Sequence, residues 1–259
     1  VQIIRRLIDG NHVRLLSDLH IGSPDVDYVK LRWDILHGGN SHRININGDV
    51  MDLILPRDGK RYTPAGALHK RLWGRDDVVN GMVEWAEELL APVAGRIDMI
   101  GDGNHEEAVE KYHSVSPVKL LIERLNNKHG GHIAYGGYNG FFVYTGNSGR
   151  RTTVYYHHGA GGGGIGSAAT DFQRTLGFVD ADVIWTGHRH FRYVTELERV
   201  ACGRGKEPVY RRTVGVMTGS YLRTYRTGHE SYGSRKKLPP QGMGGIDLYL
   251  TPRISAHLY

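Results

Sequence analysis

Two rhythms of hydrophobic and polar positions alternate along the chain. Short β-branched runs, a few residues each, are separated by longer stretches with an apolar residue every three or four positions. That alternation predicts an α/β fold. Residues 12–17, 43–47, 96–100, 140–145, 152–156 and 182–186 read as strands. Helices are predicted over 25–37, with Val26, Val29, Trp33 and Leu36 as the apolar face, and over 77–90, with Val78, Met82, Trp85 and Leu89. Pro92 and Gly95 stop the second helix. A third is predicted over 116–126, with Ser116 at the N-cap and Pro117 at the first helical position. A fourth is predicted over 167–176. From Phe191 onward the pattern is mostly β. There is no repeat of solenoid period and no long linker. The expectation is one domain over 1–259, with a β-rich C-terminal part over 191–259.

Five of the strand-like runs end directly in polar clusters. These are Asp18-Leu19-His20, Gly48-Asp49-Val50-Met51-Asp52, Gly103-Asn104-His105-Glu106, His157-His158-Gly159 and Gly187-His188-Arg189-His190. Ligands of open α/β sheets bind outside the carboxyl ends of the strands. Five clusters spread over 18–190 are therefore expected to converge on one site. An Asp-x-His pair at a strand end points both groups into one cleft if the backbone is still extended there.

Composition narrows the chemistry. A single cysteine, Cys202, excludes an internal disulfide and a cysteine-rich zinc cage, while 15 histidines are available. Imidazole, carboxylate and one amide oxygen suit borderline divalent metals rather than calcium. Glycine, at 36 of 259 residues, is about twice its usual share. The balance of 33 basic and 27 acidic residues, net +6, suits an anionic partner. No run of about 18 apolar residues is present, and no leader pattern opens the chain, so a cytoplasmic, non-membrane protein is expected.

In order and type, the five clusters resemble the motifs D-x-H, G-D-x-x-D, G-N-H-[DE], H and G-H-x-H of the calcineurin-like metallophosphoesterases. The resemblance covers residues 18 to about 220. It implies a four-layer α/β/β/α sandwich and a centre of two metal ions (Mn, Zn, Fe or Ni). Asp18, His20, Asp49 and His190 would hold the first ion. Asp49, Asn104, His158 and His188 would hold the second, with Asp49 bridging. His157 and His158 both remain candidates for the fourth motif, His158 being favoured by the glycine after it. The resemblance further implies phosphoester hydrolysis by a hydroxide bridging the metals. His105 would be the general acid, oriented by Asp52. Asp102 reads as a turn residue or as a partner of a ligand. Glu106 has no role assigned by the motif.

Three further segments bear on substrate. Residues 159–166 hold six glycines and formally contain G-x-G-x-x-G. A dinucleotide-binding enzyme is disfavoured there, because the preceding strand ends in two histidines and no wider βαβ pattern follows. A loop beside His158 whose bare backbone admits substrate is the better reading. Arg57, Arg189 and His157 are candidate substrate contacts beside the metal motifs. The stretches 70–75 (Arg71, Trp73, Arg75) and 223–237 (Tyr225, Arg226, Tyr232, Arg235, Lys236, Lys237) mix basic and aromatic residues, as a nucleic-acid surface does. The expected function is hydrolysis of a phosphodiester or a broader range of phosphoesters. The alternatives are a nuclease on DNA or RNA with the same centre, and a non-catalytic metal- or nucleic-acid-binding module.

Overall fold

The structure is a computed structural model. It describes residues 1–37, 42–55, 68–162, 164–203, 205, 207–226, 228–231, 234, 237, 239–240, 242–250 and 253–258. Along the chain run β1 (Gln2–Ile8), β2 (His12–Leu16), α1 (Tyr28–Leu36), β3 (Arg43–Asn47), α2 (Val78–Leu90), β4 (Ile97–Gly101), α3 (Asn104–His113) and α4 (Pro117–His129). Then follow β5 (Ala134–Gly137), β6 (Asn139–Gly146), β7 (Arg151–His157), α5 (Ile165–Leu176), β8 (Val183–Thr186), β9 (Tyr193–Cys202) and β10 (Pro208–Met217). The short ribbon β11 (Tyr225–Arg226) and β12 (His229–Glu230) precedes β13 (Ile246–Tyr249) and β14 (Ser255–Leu258).

Two six-stranded sheets stack, ordered β14-β13-β2-β3-β4-β5 and β1-β6-β7-β8-β10-β9. In the first, β2 to β5 are parallel; in the second, β7, β8 and β10 are parallel. Strand alternation sorts the side chains into layers. Val13, Leu15, Met99, Ile246 and Leu248 of the first sheet meet Phe142, Val154, Tyr156, Val183, Trp185, Val214 and Val216 of the second in one buried cluster. The opposite face of the first sheet, with Leu16, Ile44, Ile46 and Ile100, packs on helix residues such as Leu31, Met82, Leu89 and Leu121. On the outer face of the second sheet, Ile184 and Met217 pack on Ala168 and Phe172 of α5. The result is the expected four-layer α/β/β/α sandwich. Among the described residues no helix is long and apolar enough to cross a membrane.

Several local expectations are corrected. α1 begins at Tyr28, capped by the Asp27 carboxylate accepting from the Lys30 amide at 3.1 Å, rather than at 25. Its predicted apolar face is turned outward: Val29 is 79% and Trp33 48% exposed, while Leu31, Asp34 and Ile35 are buried. Polar contacts set this rotation. Asp34 accepts from the Tyr221 hydroxyl at 2.9 Å, and its backbone carbonyl accepts from Arg14 at 2.6 Å. α5 starts at Ile165 rather than 167. α3 begins within the third polar cluster, and β1 and β5 form where no strand was predicted. The unbroken apolar and charged residues of β1 conceal its alternation, since it is an edge strand with Ile3 and Leu7 exposed.

Buried Arg14 on β2 and Asp247 on β13 lie directly opposite each other and pair through two 2.8 Å hydrogen bonds. Burial pushes the Asp247 carboxyl up, but Arg14 and His12 outweigh it and hold it at about 2, below its ordinary 3.8. A depressed folded pKa gives stability that is present above the unfolded value and lost as pH falls through the folded one. Asp247→Asn strands a buried guanidinium. At neutral pH it is expected to lower the unfolding free energy by about 3–5 kcal/mol in urea titrations. The gap between variant and wild type should narrow as pH falls from about 4 to about 2.

Candidate metal centre

All five polar clusters lie just past the carboxyl ends of β2, β3, β4, β7 and β8. The parallel runs within each sheet bring those ends to one edge of the sandwich. The side chains converge by a route the extended-backbone expectation does not include. Asp18, His20, Asp49, His188 and His190 all have positive φ, between 48° and 69°. A non-glycine residue in the left-handed region costs roughly 1–2 kcal/mol, somewhat less for Asp and His. Five of them cost an amount comparable with the whole stability of a small domain, ~5–15 kcal/mol. Concentrated strain of this kind marks functional sites.

Those turns gather two groups of ligand atoms. Asp18, His20, Asp49 and His190 form one; Asp49, His158 and His188 form the other; within each group one ligand atom per residue lies within 4.8 Å of the rest. Asp49 belongs to both. His20 Nε2 lies 3.1 Å from His190 Nε2, and His190 Nε2 lies 3.4 Å from Asp18 Oδ1. In the second group His158 Nε2 is 3.3 Å from Asp49 Oδ2. Asn104 stands at the first position of α3, half-buried. His20, Asp52 and His105 make a third close group that overlaps the first through His20.

The groups behind the ligands are as specific. His158 Nδ1–H donates to the Asn47 carbonyl at 2.7 Å, which leaves Nε2 facing Asp49. His20 Nδ1–H donates to Asp52 Oδ1 at 3.0 Å, which turns Nε2 toward His190. The sequence reading assigned the Asp52 carboxylate to His105; it lies 3.8 Å from His105 Nδ1, and the Asp52 backbone carbonyl is what accepts from that nitrogen. Glu106 accepts from the amides of Asp49, Met51 and Gly103 at 2.9–3.0 Å, clamping the second motif to the third. The His105 amide donates to Asp49 Oδ1 at 3.0 Å. No side chain fits at Gly103, where a Cβ would overlap the Asp49 carboxylate.

Charge in the site is tightly coupled. Burial disfavours the cation on His20, but the Asp52 hydrogen bond and the charges of Asp52, Asp49 and Asp18 raise it to about 9. For His158, burial is outweighed by Asp49 and Asp18, and it rises to about 10. Burial raises the Asp49 carboxyl, yet His158, His105 and His20 hold it well below its ordinary value. Burial and the Asp49 charge push Glu106 up to about 8. His188 is lowered by burial and by His158. A divalent cation fits this arrangement. Buried His158 Nε2 has no hydrogen bond of good geometry although it faces a carboxylate. Neutral imidazoles and carboxylates are the donors borderline divalent ions prefer, and His20 and His158 each have the other ring nitrogen held by a partner, as metal-binding histidines do.

Other expected residues are placed differently. His157 is half-buried beside the ligands but outside the two groups; its Nδ1 accepts from the Gly159 amide at 2.9 Å, and burial and its histidine neighbours lower its pKa. Arg189 reaches α5, donating to Ser167 at 2.9 Å and pairing with Asp171. Asp102 accepts from the Tyr135 hydroxyl. In the basic segments Arg71 pairs with Glu88, Arg75 with Asp77 and Glu84, and Arg223 with Asp27, leaving Trp73 and Tyr225 as exposed aromatics. Arg57, Tyr232, Arg235 and Lys236 lie outside the described residues. Sequence reasoning missed Glu106 as a clamp, although its place three residues after the helix-capping Gly103 is the capping-box spacing.

No protein-family model matches the chain. No curated protein matches it. Among solved structures it is similar to Vps29 of Chaetomium thermophilum, with TM-score 0.42 and 11% identity, covering 93% of this chain and 83% of that one. It is also similar to Vps29 of Entamoeba histolytica, solved in complex with zinc, with TM-score 0.38 and 12% identity over 95% and 97% of the two chains. Similarity at this level says nothing of activity, metal or partner in this chain.

Because His20 and His158 carry protons at neutral pH without metal, metal binding must expel them. Calorimetric titration with Mn²⁺ at pH 7 is expected to show release of about two protons per chain, read from the difference in heat between two buffers of different ionisation enthalpy, Pipes and Tris. Heats that do not depend on the buffer would show that the ligands are already neutral.

Proposed function

We propose that this protein is a dinuclear, metal-dependent phosphoesterase of the calcineurin-like kind. The observation that carries the reading is Asp49, a buried carboxylate shared by two adjacent ligand groups. The ordered motifs at the strand ends support it independently. Asp18, His20, Asp49 and His190 would hold one divalent ion, and Asp49, Asn104, His158 and His188 the other. Mn, Zn, Fe or Ni bound there would act as Lewis acids on the phosphoryl oxygens and acidify a water for attack.

The chain's own residues supply the rest. The Asp52 carbonyl holds His105 Nδ1, so Nε2 is the nitrogen that faces the ligands, 3.9 Å from Asp49 Oδ2. From there the imidazolium would protonate the leaving oxygen, a contribution of roughly 10²–10⁴-fold. Asp52 also fixes His20 through its carboxylate, so one residue serves ligand and acid by different atoms. The glycines after His158 leave bare backbone beside the ligands; a Cβ at Gly161 or Gly162 would meet nothing within 4 Å. A phosphodiester, or a broader range of phosphoesters, is the substrate class we propose.

The test joins metal content to rate. Wild-type protein is expected to bind two Mn²⁺ per chain and to hydrolyse an aryl phosphodiester. Asp49→Asn should lose metal and rate together. His105→Ala should keep the metal and lose rate by about 10²–10⁴-fold, most for poor leaving groups. Loss of metal in His105→Ala would overturn its role as the acid. Preference for single-stranded DNA, with rate falling steeply as salt rises, would turn the reading toward a nuclease. Metal binding without turnover of any phosphoester would leave a binding module.

A further inference from the structure

The last third of the chain carries no metal motif, yet it reaches the centre through a buried line of hydroxyls. Ser17 Oγ contacts Asp18 Oδ2 and lies 2.6 Å from Thr218 Oγ1. Trp185 Nε1–H, from the core between the sheets, points at the same Thr218 oxygen at 3.1 Å. Ser17, Asp18, Thr218 and Trp185 are all buried. Thr218 follows β10, and its amide donates to the Thr186 carbonyl at 3.0 Å, which fixes its backbone at the end of β8.

Counting protons orients every link. An indole N–H only donates, and an ionised carboxylate only accepts. Ser17 has one proton, and the adjacent carboxylate oxygen must receive it, because two lone pairs in contact would repel. The short Ser17–Thr218 contact then requires the Thr218 proton. Thr218 Oγ1 is also within donating distance of the Thr186 carbonyl at 3.2 Å, but the 2.6 Å contact with Ser17 is the shorter and needs the proton to be attractive. The chain of donation runs one way: Trp185 to Thr218, Thr218 to Ser17, Ser17 to Asp18. Aligned hydrogen bonds of this kind polarise one another.

The consequence falls on one carboxylate oxygen. Asp18 Oδ2 receives the Ser17 hydroxyl, while the His188 amide is shared between Oδ2 at 3.0 Å and Oδ1 at 3.1 Å, so the Ser17 hydroxyl is what distinguishes the two oxygens. Oδ1 faces His190 Nε2 at 3.4 Å. We infer that Thr218 is a positioning residue: through Ser17 it engages Asp18 Oδ2 and so presents Oδ1 to the ion of the Asp18–His20–Asp49–His190 group. Gly187 closes the arrangement, since a Cβ there would stand 2.5 Å from Ser17 Oγ and 2.7 Å from Asp18 Oδ2. The inference rests on the dinuclear reading and extends it to residues outside the motifs.

Mn²⁺ affinity, measured by calorimetry on the full chain, separates the hydroxyl from the packing around it. Thr218→Val keeps the shape and removes the relay. It is expected to weaken the affected Mn²⁺ site by about 10-fold, because Ser17 keeps its bond to Asp18 but loses the donor that orients it. Thr218→Ser keeps the hydroxyl and should bind as wild type does. Ser17→Ala removes the carboxylate's direct partner and should weaken the site by about 10–100-fold, at least as much as Thr218→Val, so the inference stands on a second variant if the first folds poorly. Wild-type affinity in Ser17→Ala, or equal losses in Thr218→Ser and Thr218→Val, would overturn it. Failure of wild-type protein to bind Mn²⁺ would overturn the dinuclear reading as well, and so is a distinct result.

Discussion

Carboxyl groups crowded together out of water shape this protein more than any other constraint. Asp18, Asp49 and Glu106 are all buried at one edge of the sandwich. Burial and the Asp49 charge push Glu106 up to about 8, whereas at Asp18 burial and Asp49 are outweighed by His190 and His158, which hold it below its ordinary value. Such a cluster persists only where compensating donors or cations surround it. The surroundings follow from that requirement. Imidazoles from both sheets face the carboxylates, and backbone amides of Asp49, Met51, Gly103, His105 and His188 point at their oxygens. The left-handed turns are what place these groups within reach.

Much of this was legible from the residues. Strand-like runs ending in Asp, Asn and His fixed where ligands would meet, because parallel strands deliver their ends to one edge. The two groups sharing Asp49 contain the same Asp and His residues that the motif order implied. What was not legible has physical causes. Extended alternation describes a strand but not the turn after it, so the left-handed conformations of Asp18 and His20 leave no periodic trace. α1 misled because its stripe of Val29, Trp33 and Leu36 is real, yet Asp34 is the residue with partners inside. Long-range pairs such as Thr218 with Ser17, about 200 positions apart, have no local signature at all.

Division of labour within single residues recurs. Asp52 gives its carboxylate to one histidine and its carbonyl to another. Arg189 lies between two ligands in sequence, yet its guanidinium secures α5. In a crowded site, backbone atoms do part of what side chains do elsewhere, and the absence of a side chain at Gly103 is as specific a feature as the presence of one at Asp49.

The candidate ligands also divide between the sheets. Asp18, His20, Asp49 and Asn104 follow strands of one; His158, His188 and His190 follow strands of the other. Neither sheet alone owns a complete set, so a bound cation would span the seam and grip both. It would close a loop of roughly 170 residues, the kind of long closure whose entropic penalty grows only slowly with length. An ion held there would act as a clasp: absent from the unfolded chain, engaged only once the halves have docked, and resisting any motion that slides one layer over its neighbour.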